Sequence, residues 1–146
     1  MAGVTPTALD EMDRKLVDTL RTQGRASIRE LSRRTRMRPS TVHSRLRRLV
    51  SRGVIEHFTV KLNPAAVGES LAVFVLVTSE GTIPPAAFRD PRVKEVFGIT
   101  GEYDLLLKIK VSSLEDFNSF ILSFRERPQV KRTHTLVGTI GLKEEL

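Results

Sequence analysis

The sequence predicts an α+β protein in which an N-terminal three-helix, winged-type helix-turn-helix domain precedes a C-terminal ferredoxin-like βαββαβ domain. Apolar residues recur at helical spacing in three short segments near the start of the chain. Strand-like and helix-like segments then alternate through the second half. We expect residues 1–55 to form the helix-turn-helix domain, residues 56–69 a linker with a short strand, and residues 70–146 the ferredoxin-like domain.

The basic residues are concentrated in the first half of the chain. Residues 1–63 contain fourteen Lys and Arg against six Asp and Glu, whereas residues 64–146 contain ten against eleven. Between Arg25 and Arg52, ten arginines face a single acidic residue, Glu30. A local basic field of this kind attracts a polyanion, and we therefore expect double-stranded DNA as a partner.

The first predicted helix has an apolar side formed by Leu9, Met12, Leu16 and Leu20, which recur at i, i+3, i+7 and i+11. Acidic residues in its first turn suit the positive end of the helix dipole. Gly24 is placed to end the helix.

A tight turn separates the second and third predicted helices. Ser27 and Glu30 match a capping box that begins a helix running to about Thr35. Residues 36–38 connect it to a third helix that begins at Pro39, because proline is well accepted at the first helical position. Three helices with such a turn describe a helix-turn-helix.

The third helix is the candidate recognition helix. Val42, Leu46 and Leu49 form its apolar stripe, and Gly53 ends it. The opposite face and its flanks carry hydrogen-bonding and cationic side chains that suit base edges and phosphates. Residues 36–53 contain no acid that would repel phosphate. The residues expected to contact DNA are Arg34, Arg36, Arg38, Ser40, Thr41, His43, Ser44, Arg47 and Arg48.

The remaining segments predict the linker strand and then the element order of a ferredoxin-like fold. Apolar runs and alternating patterns indicate strands, and a Ser113–Asp116 pair that resembles a capping box indicates the longer helix. In order, we expect strands at 56–62 and 71–77, a short helix near 86–90, strands at 93–100 and 104–111, a helix ended by Pro128, and a strand at 130–142.

The strand predicted at 71–77 is apolar at every position. A ferredoxin-like sheet has helices on only one face, so the second apolar face of this strand needs another cover. We expect a second copy of the chain to supply it, giving a symmetric dimer that would suit two DNA half-sites. The alternative is a strand with one exposed apolar face.

Seven segments of the chain resemble the Lrp/AsnC family, the leucine-responsive or feast/famine regulators of bacteria and archaea. They cover nearly the whole chain in order, and one departure is Arg38, where the family often has a serine that caps the recognition helix. The matching segments are LDEMDRK at 9–15, GR at 24–25, ELS at 30–32, PSTVHSR at 39–45, LVSRGVI at 49–55, TGEYD at 100–104 and THT at 133–135.

The resemblance implies a transcriptional regulator that forms dimers, and often octamers or other multiples of dimers, through its ferredoxin-like domain. It also implies a small amino-acid effector bound near the Gly-x-x-Asp turn, with Gly101, Tyr103 and Asp104 as site residues and Thr133 and Thr135 as further candidates. Each residue also has a purely structural interpretation. Gly101 would supply a positive φ in a turn, Asp104 would cap that turn, and the threonines would be ordinary strand residues.

Catalysis is not expected from this sequence. His43, His57 and His134 lie far apart, no glycine-rich phosphate loop occurs, and there is no cysteine to act as a nucleophile. We likewise expect no metal site, and no cofactor apart from the possible amino-acid effector. The main alternative to a specific regulator is an architectural DNA-packing protein with weak sequence preference and no effector.

Two further partner classes are disfavoured. The major groove of duplex RNA is too narrow for a recognition helix, so DNA is preferred over RNA. No apolar run reaches the ~18 to 20 residues that a membrane span needs, so we expect no membrane partner. The expected location is the cytoplasm, in association with the nucleoid.

Overall fold

The computed structural model describes residues 8–144, so the first seven and last two residues of the predicted domains lie outside the described part of the chain. The chain divides into two compact units, Met1–Lys61 and Leu62–Leu146. The division lies within the predicted linker. Among residues 8–144, no helix has both the length and the apolar composition needed to cross a bilayer.

The N-terminal unit contains the three predicted helices, α1 (Glu11–Thr22), α2 (Ile28–Thr35) and α3 (Pro39–Ser51). Their starts follow the local sequence. The Asp10 side chain caps α1, and Ser27 and Glu30 form the predicted capping box of α2. Pro39 occupies the first turn of α3. The capping box and Pro39 therefore predicted where α2 and α3 begin, whereas the sequence analysis placed acidic residues in the first turn of α1 without predicting the Asp10 cap.

The three helices pack around a small apolar core. Leu16, Leu31, Val42 and Leu49 are at most 1% exposed, and Met37 from the α2–α3 turn lies beside them. Each helix thus contributes at least one fully buried residue. Burial of this kind stabilises the domain by about 1.5–3 kcal/mol per side chain, which fixes the orientation of α3 relative to α1 and α2.

The short strand predicted at 56–62 is wrong, because the structure assigns no strand to these residues. A strand needs a partner for its backbone groups, and all the strand pairings in the described residues lie in the C-terminal unit. A loose alternation of apolar residues was therefore not enough to predict a strand. The alternating side chains Phe58, Val60 and Leu62 are each more than half exposed.

The C-terminal unit has the predicted βαββαβ order and confirms the fold class. Its sheet is antiparallel throughout, with the strand order β2-β3-β1-β4 that a ferredoxin-like fold requires. Its elements are β1 (Leu71–Ser79), β2 (Val93–Gly98), β3 (Leu105–Val111), α4 (Leu114–Arg125) and β4 (Val130–Val137).

Two elements of this unit differ from prediction. The short helix expected near 86–90 is a single 3-10 turn, Pro85–Phe88. The last strand ends at Val137 rather than at residue 142: Val137 pairs with Val73, and one further hydrogen bond links Gly138 to Ala72.

The two faces of the sheet differ in what covers them. On one face, the fully buried Val73, Val75 and Val77 pack against phenylalanines of α4 such as Phe124. The opposite face, which we call the open face, includes Phe74, Leu76 and Leu106, all partly buried, together with Phe97 and Leu136, which are about half exposed. The prediction that β1 is apolar on both faces is confirmed.

Candidate nucleic-acid interface and ligand-binding loop

The solvent side of α3 carries the side chains that the sequence assigned to base reading. Val42 and Leu49 are buried against the other helices, which turns the opposite side outward. The exposed residues on that side are Ser40, Thr41, His43, Ser44 and Arg47. His43, Ser44 and Arg47 line a shallow surface cleft. The arrangement presents hydroxyl, imidazole and guanidinium groups together on one helix face.

Further exposed arginines lie in the last turn of α2 and in the turn that precedes α3. Arg34, Arg36 and Arg38 are all exposed. Arg36 ends α2 in the left-handed region, with φ of 57°, which is uncommon for a residue other than glycine. Arg38 precedes α3 without a side-chain capping hydrogen bond. The structure therefore keeps cations at two positions where glycine and serine would stabilise the local backbone better.

Arg48 differs from the other predicted DNA contacts because it is bound within the protein. Its Nη2 atom donates to both carboxylate oxygens of Asp13, at 3.0 and 2.8 Å. Arg45, one turn earlier, donates from Nη1 to Asp13 at 2.7 Å and to both oxygens of Asp10, at 2.8 and 2.6 Å. Two arginines of α3 are thus tied to two carboxylates at the start of α1.

This carboxylate pair was not predicted from the sequence as a partner of α3. The Arg45 guanidinium lowers the pKa of Asp10, and the two carboxylates raise that of Arg45. The available signal was the position of Asp13, which lies at helical spacing on the apolar side marked by Leu9 and Leu16. A carboxylate at a core position requires a buried partner, and Asp13 is only 1% exposed.

In the C-terminal unit, Gly101 and Asp104 shape the turn between β2 and β3. Gly101 has φ of 124°, a conformation that L side chains rarely adopt. The Asp104 Oδ2 atom accepts hydrogen bonds from the Ser79 backbone N–H at 2.7 Å and from the Ser79 hydroxyl at 3.4 Å. Asp104 therefore ties the turn to the end of β1, and its Oδ1 atom has no hydrogen-bond partner among residues 8–144.

Tyr103 belongs to this turn, and its ring lies close to side chains of β4. Its ring centroid is 6.2 Å from that of His134, and the Arg132 guanidinium carbon lies 5.5 Å from the Tyr103 ring centroid. Arg132 is also paired with Glu102. Sequence reasoning missed Arg132 and His134, because only the strand register shows that these residues reach the turn.

Thr133 and Thr135 are on the other face of the sheet. They pair with Val77 and Val75, whose side chains are fully buried in the core beneath α4. The Thr133 hydroxyl accepts a hydrogen bond from Arg125 Nε of that helix, at 2.7 Å. The structure thus brings together Gly101, Tyr103 and Asp104 but does not place the threonines beside Tyr103.

Two family profiles match the chain, one in each unit. Residues 9–56 match the family described as Winged helix-turn-helix DNA-binding. Residues 86–145 match the family described as Lrp/AsnC ligand binding domain. The first match spans α1 to α3, and the second spans the turn with Gly101 and Asp104.

Curated relatives and solved structures are similar along almost the whole chain. The HTH-type transcriptional regulator FL11 of Pyrococcus horikoshii is 35% identical over 133 residues, which are 88% of each chain. A transcriptional regulator of Neisseria meningitidis solved with L-Met has a TM-score of 0.87 and 27% identity, covering 94% of each chain. A feast or famine regulatory protein from M. tuberculosis, complexed with L-methionine, has a TM-score of 0.85 and 32% identity, covering 94% of this chain and 96% of that chain.

Proposed function

The chain belongs to the Lrp/AsnC family of DNA-binding transcriptional regulators, and on this premise we propose that it binds specific sites in double-stranded DNA as a dimer or a multiple of dimers and responds to a free amino acid. The family consists of regulators rather than enzymes. The proposal for specific binding rests on one observation. The exposed face of α3 contains no acid and presents hydrogen-bonding side chains beside arginines that form no ion pair within residues 8–144.

The proposed contacts divide by chemistry. Ser40, Thr41, His43, Ser44 and Arg47 would face base edges in the major groove, where their donors and acceptors discriminate between base pairs. Arg34, Arg36 and Arg38 would contact phosphates, because they are exposed in the last turn of α2 and directly before α3, whose amino-terminal N–H groups also favour an anion. The proposal is supported by the exposure of all eight side chains.

Sequence preference is the property that separates this proposal from an architectural DNA-packing protein. The experiment is repeated selection of bound duplexes from a random pool, followed by affinity measurements on a selected site and on a random duplex of equal length. A specific regulator should prefer its selected site by about 10³-fold or more. Failure to enrich any sequence, with tight binding to every duplex, would favour the architectural alternative.

The open face of the sheet supports the proposed dimer. It combines the partly buried Phe74 and Leu76 of β1 with the half-exposed Phe97 and Leu136 of its neighbours. A second copy related by a two-fold axis would bury the same patch on both chains. Sedimentation analysis of the wild-type chain and of Phe97→Glu tests this, since a charge in the interface should shift the population toward monomer. A monomeric wild-type chain at micromolar concentration would contradict the proposal.

The turn that contains Asp104 supports an amino-acid effector. Asp104 Oδ2 is occupied by Ser79, whereas Oδ1 is available to accept a hydrogen bond from a ligand ammonium group. Tyr103 would contact the rest of the ligand. Because two similar structures contain methionine, L-methionine is the first ligand to test.

Thermal denaturation with each of the twenty amino acids tests the effector proposal, because a ligand that binds the native state raises the melting temperature. Asp104→Asn keeps a hydrogen-bond acceptor for Ser79 but removes the negative charge. It should abolish the ligand-dependent shift while leaving the ligand-free melting temperature nearly unchanged. An equal shift in the variant would remove Asp104 from the proposed site, and no shift with any amino acid would contradict an amino-acid effector.

A further inference from the structure

The most deeply buried charged group of the N-terminal unit is not a cation. Asp13 is 1% exposed, in a half of the chain that carries fourteen basic and six acidic residues between positions 1 and 63. Burial of a carboxylate is costly unless it is paired. Here the charge is balanced by two arginines that both belong to α3, the helix proposed to contact DNA.

We propose that Asp13, assisted by Asp10, is a positioning residue that withholds Arg45 and Arg48 from DNA and thereby leaves Arg47 as the DNA-contacting arginine of α3. The inference rests on the proposed DNA binding and deepens it. It assigns Arg48 to holding the helix rather than to contacting phosphate. It also makes an acidic residue outside α3 a determinant of specificity.

Helical spacing separates the two kinds of arginine. Positions 45 and 48 are three residues apart, so they lie on one side of the helix, facing the start of α1. Arg47 is about 100° around the helix axis from Arg48. Arg47 forms no ion pair with a carboxylate among residues 8–144, whereas Arg45 and Arg48 together make five contacts of 3.0 Å or less with the Asp10 and Asp13 carboxylates.

If exposure alone were considered, Arg48 would be assigned to the DNA contacts together with Arg47. The Arg48 side chain remains 46% exposed, so a phosphate could in principle reach it. To turn toward a phosphate, however, Arg48 would have to leave Asp13, which would then lose one of its two charge partners while still buried. Removing a partner from a buried carboxylate is strongly unfavourable. The Arg48–Asp13 ion pair is therefore favoured over an Arg48–phosphate contact, and Arg48 stays with Asp13 when DNA binds.

Asp10 strengthens this arrangement in two ways. Its Oδ1 atom accepts a hydrogen bond from the Asp13 backbone N–H at 2.8 Å, which caps α1. The same carboxylate binds Arg45 and lies 3.8 Å from Arg48 Nη2. The two carboxylates and the two arginines together carry no net charge, so this corner of the domain attracts phosphate less than the arginines without a carboxylate partner do.

The test compares the salt dependence of DNA binding in Asp13→Asn and in Asp18→Asn. Both changes remove one negative charge from α1, but Asp18 is exposed and has no ion pair among residues 8–144. Release of Arg48 in Asp13→Asn should add about one phosphate contact, which steepens the slope of log affinity against log salt by about 0.9. Binding to random duplexes should tighten and the preference for the selected site should fall, whereas Asp18→Asn should change neither.

Arg48→Met provides a second measurement that does not alter the buried acid. It should weaken binding to the selected site by misplacing α3, yet leave the salt slope as in the wild-type chain. The double variant Asp13→Asn, Arg48→Met should lose the extra slope of Asp13→Asn. Circular dichroism at the binding temperature confirms that each variant is folded, and if Asp13→Asn is unfolded, Arg48→Met decides alone.

A decrease of about 0.9 in the slope of Arg48→Met would overturn the inference, because it would show that Arg48 contacts a phosphate. An unchanged slope in folded Asp13→Asn would overturn it as well. These outcomes differ from failure of the proposed function. That failure would appear in the wild-type chain, as absence of DNA binding or of any preference for a selected sequence.

Discussion

The two units of this protein treat their basic residues in opposite ways. Among the described residues of the C-terminal unit, six cations form ion pairs with carboxylates, including those of Lys108 and Lys110 with Glu144. Around the α2–α3 turn and on the outer face of α3, Arg36, Arg38 and Arg47 form none within residues 8–144. The first unit therefore leaves the cations of this turn and this helix face available to an external anion, whereas most cations of the second unit are paired with its own carboxylates.

The comparison shows that exposure of a cation is not enough to mark a binding surface. Lys131 and Arg132 are exposed too, but each has a carboxylate partner on its own unit. The turn before α3 also gives up local stability, with a left-handed arginine and an uncapped helix start. A surface that retains unpaired cations at such a cost is typical of a functional site.

Arg47→Ala should have the largest effect on DNA binding. It removes the cation at the centre of the exposed α3 face, which forms no ion pair within residues 8–144. We expect a loss of about 1–3 kcal/mol on a selected site, which is roughly 5- to 150-fold, and a much smaller loss on random duplexes. The free energy of unfolding should change little because the side chain is exposed. Gel-shift titration on both duplexes measures the difference.

Arg34→Ala is the matched control for this prediction. As a proposed phosphate contact, Arg34 should affect selected and random duplexes equally and reduce the salt slope by about one contact. Equal losses on both duplexes in Arg47→Ala would show that Arg47 grips phosphate and does not read bases.

Local sequence signals predicted helix starts but not long-range pairings. Ser27 and Ser113 lie three residues from the backbone groups that they cap, so their spacing is visible in the sequence. The Asp13–Arg48 pair spans 35 positions, and β4 pairs with β1 although β2, β3 and α4 lie between them in the sequence. Such features arise from packing and register, which composition does not encode locally.

In the candidate sites, too, the features set by local sequence could be predicted and those set by long-range pairing could not. Exposure of the α3 face could be predicted, because helical periodicity places Val42 and Leu49 inside and Arg47 outside. The placement of Thr133 on the helix-covered face could not, because alternation in β4 gives two faces without saying which one is buried. The partnership between Tyr103 and His134 also required the strand register.

Arg38→Ser should have a smaller effect, because it removes a proposed phosphate contact and at the same time makes the start of α3 more stable. Serine would supply the missing side-chain cap of α3 and should stabilise the domain by about 1 kcal/mol. The same change removes a proposed phosphate contact, so the salt slope should fall by about 0.9 and affinity should fall on all duplexes. Chemical denaturation and salt titration measure the two effects, and a gain in both properties would contradict the phosphate role.

Arg36→Gly tests the same exchange at the left-handed residue. Glycine adopts φ of 57° without steric cost, which offsets the greater entropy of the unfolded chain, so we expect a gain in stability of up to about 0.5–1 kcal/mol. DNA affinity should fall independently of sequence. Arg36→Ala is the control, because it removes the cation but keeps the strain. If the glycine variant bound DNA as well as the wild-type chain, Arg36 would have no part in the interface.

Glu144→Gln should have the smallest effect: it removes the carboxylate partner of Lys110 and leaves Lys108 paired with Glu95 alone. Lys108 and Lys110 hold the Glu144 carboxylate and lower its pKa from 4.5 to about 2. A carboxylate with a lowered pKa stabilises the folded state above its unfolded pKa, and this contribution is lost as pH falls from about 4.5 to about 2. We therefore expect the wild-type chain to exceed Glu144→Gln by about 0.2–1 kcal/mol near neutral pH.

The difference between the two proteins should then shrink toward zero as the pH approaches 2, because protonated glutamate and glutamine carry the same charge. Carboxylates that contact neither Lys108 nor Lys110 contribute equally to both proteins and cancel in the comparison. Denaturation is measured at one protein concentration, since self-association would add to apparent stability. Glu126→Gln, an exposed change on the other side of the unit without an ion pair in residues 8–144, should show no such pH dependence. A difference that persisted at pH 2 would mean that Glu144 contributes packing rather than charge, and the C-terminal lysines would not be neutralised as we infer.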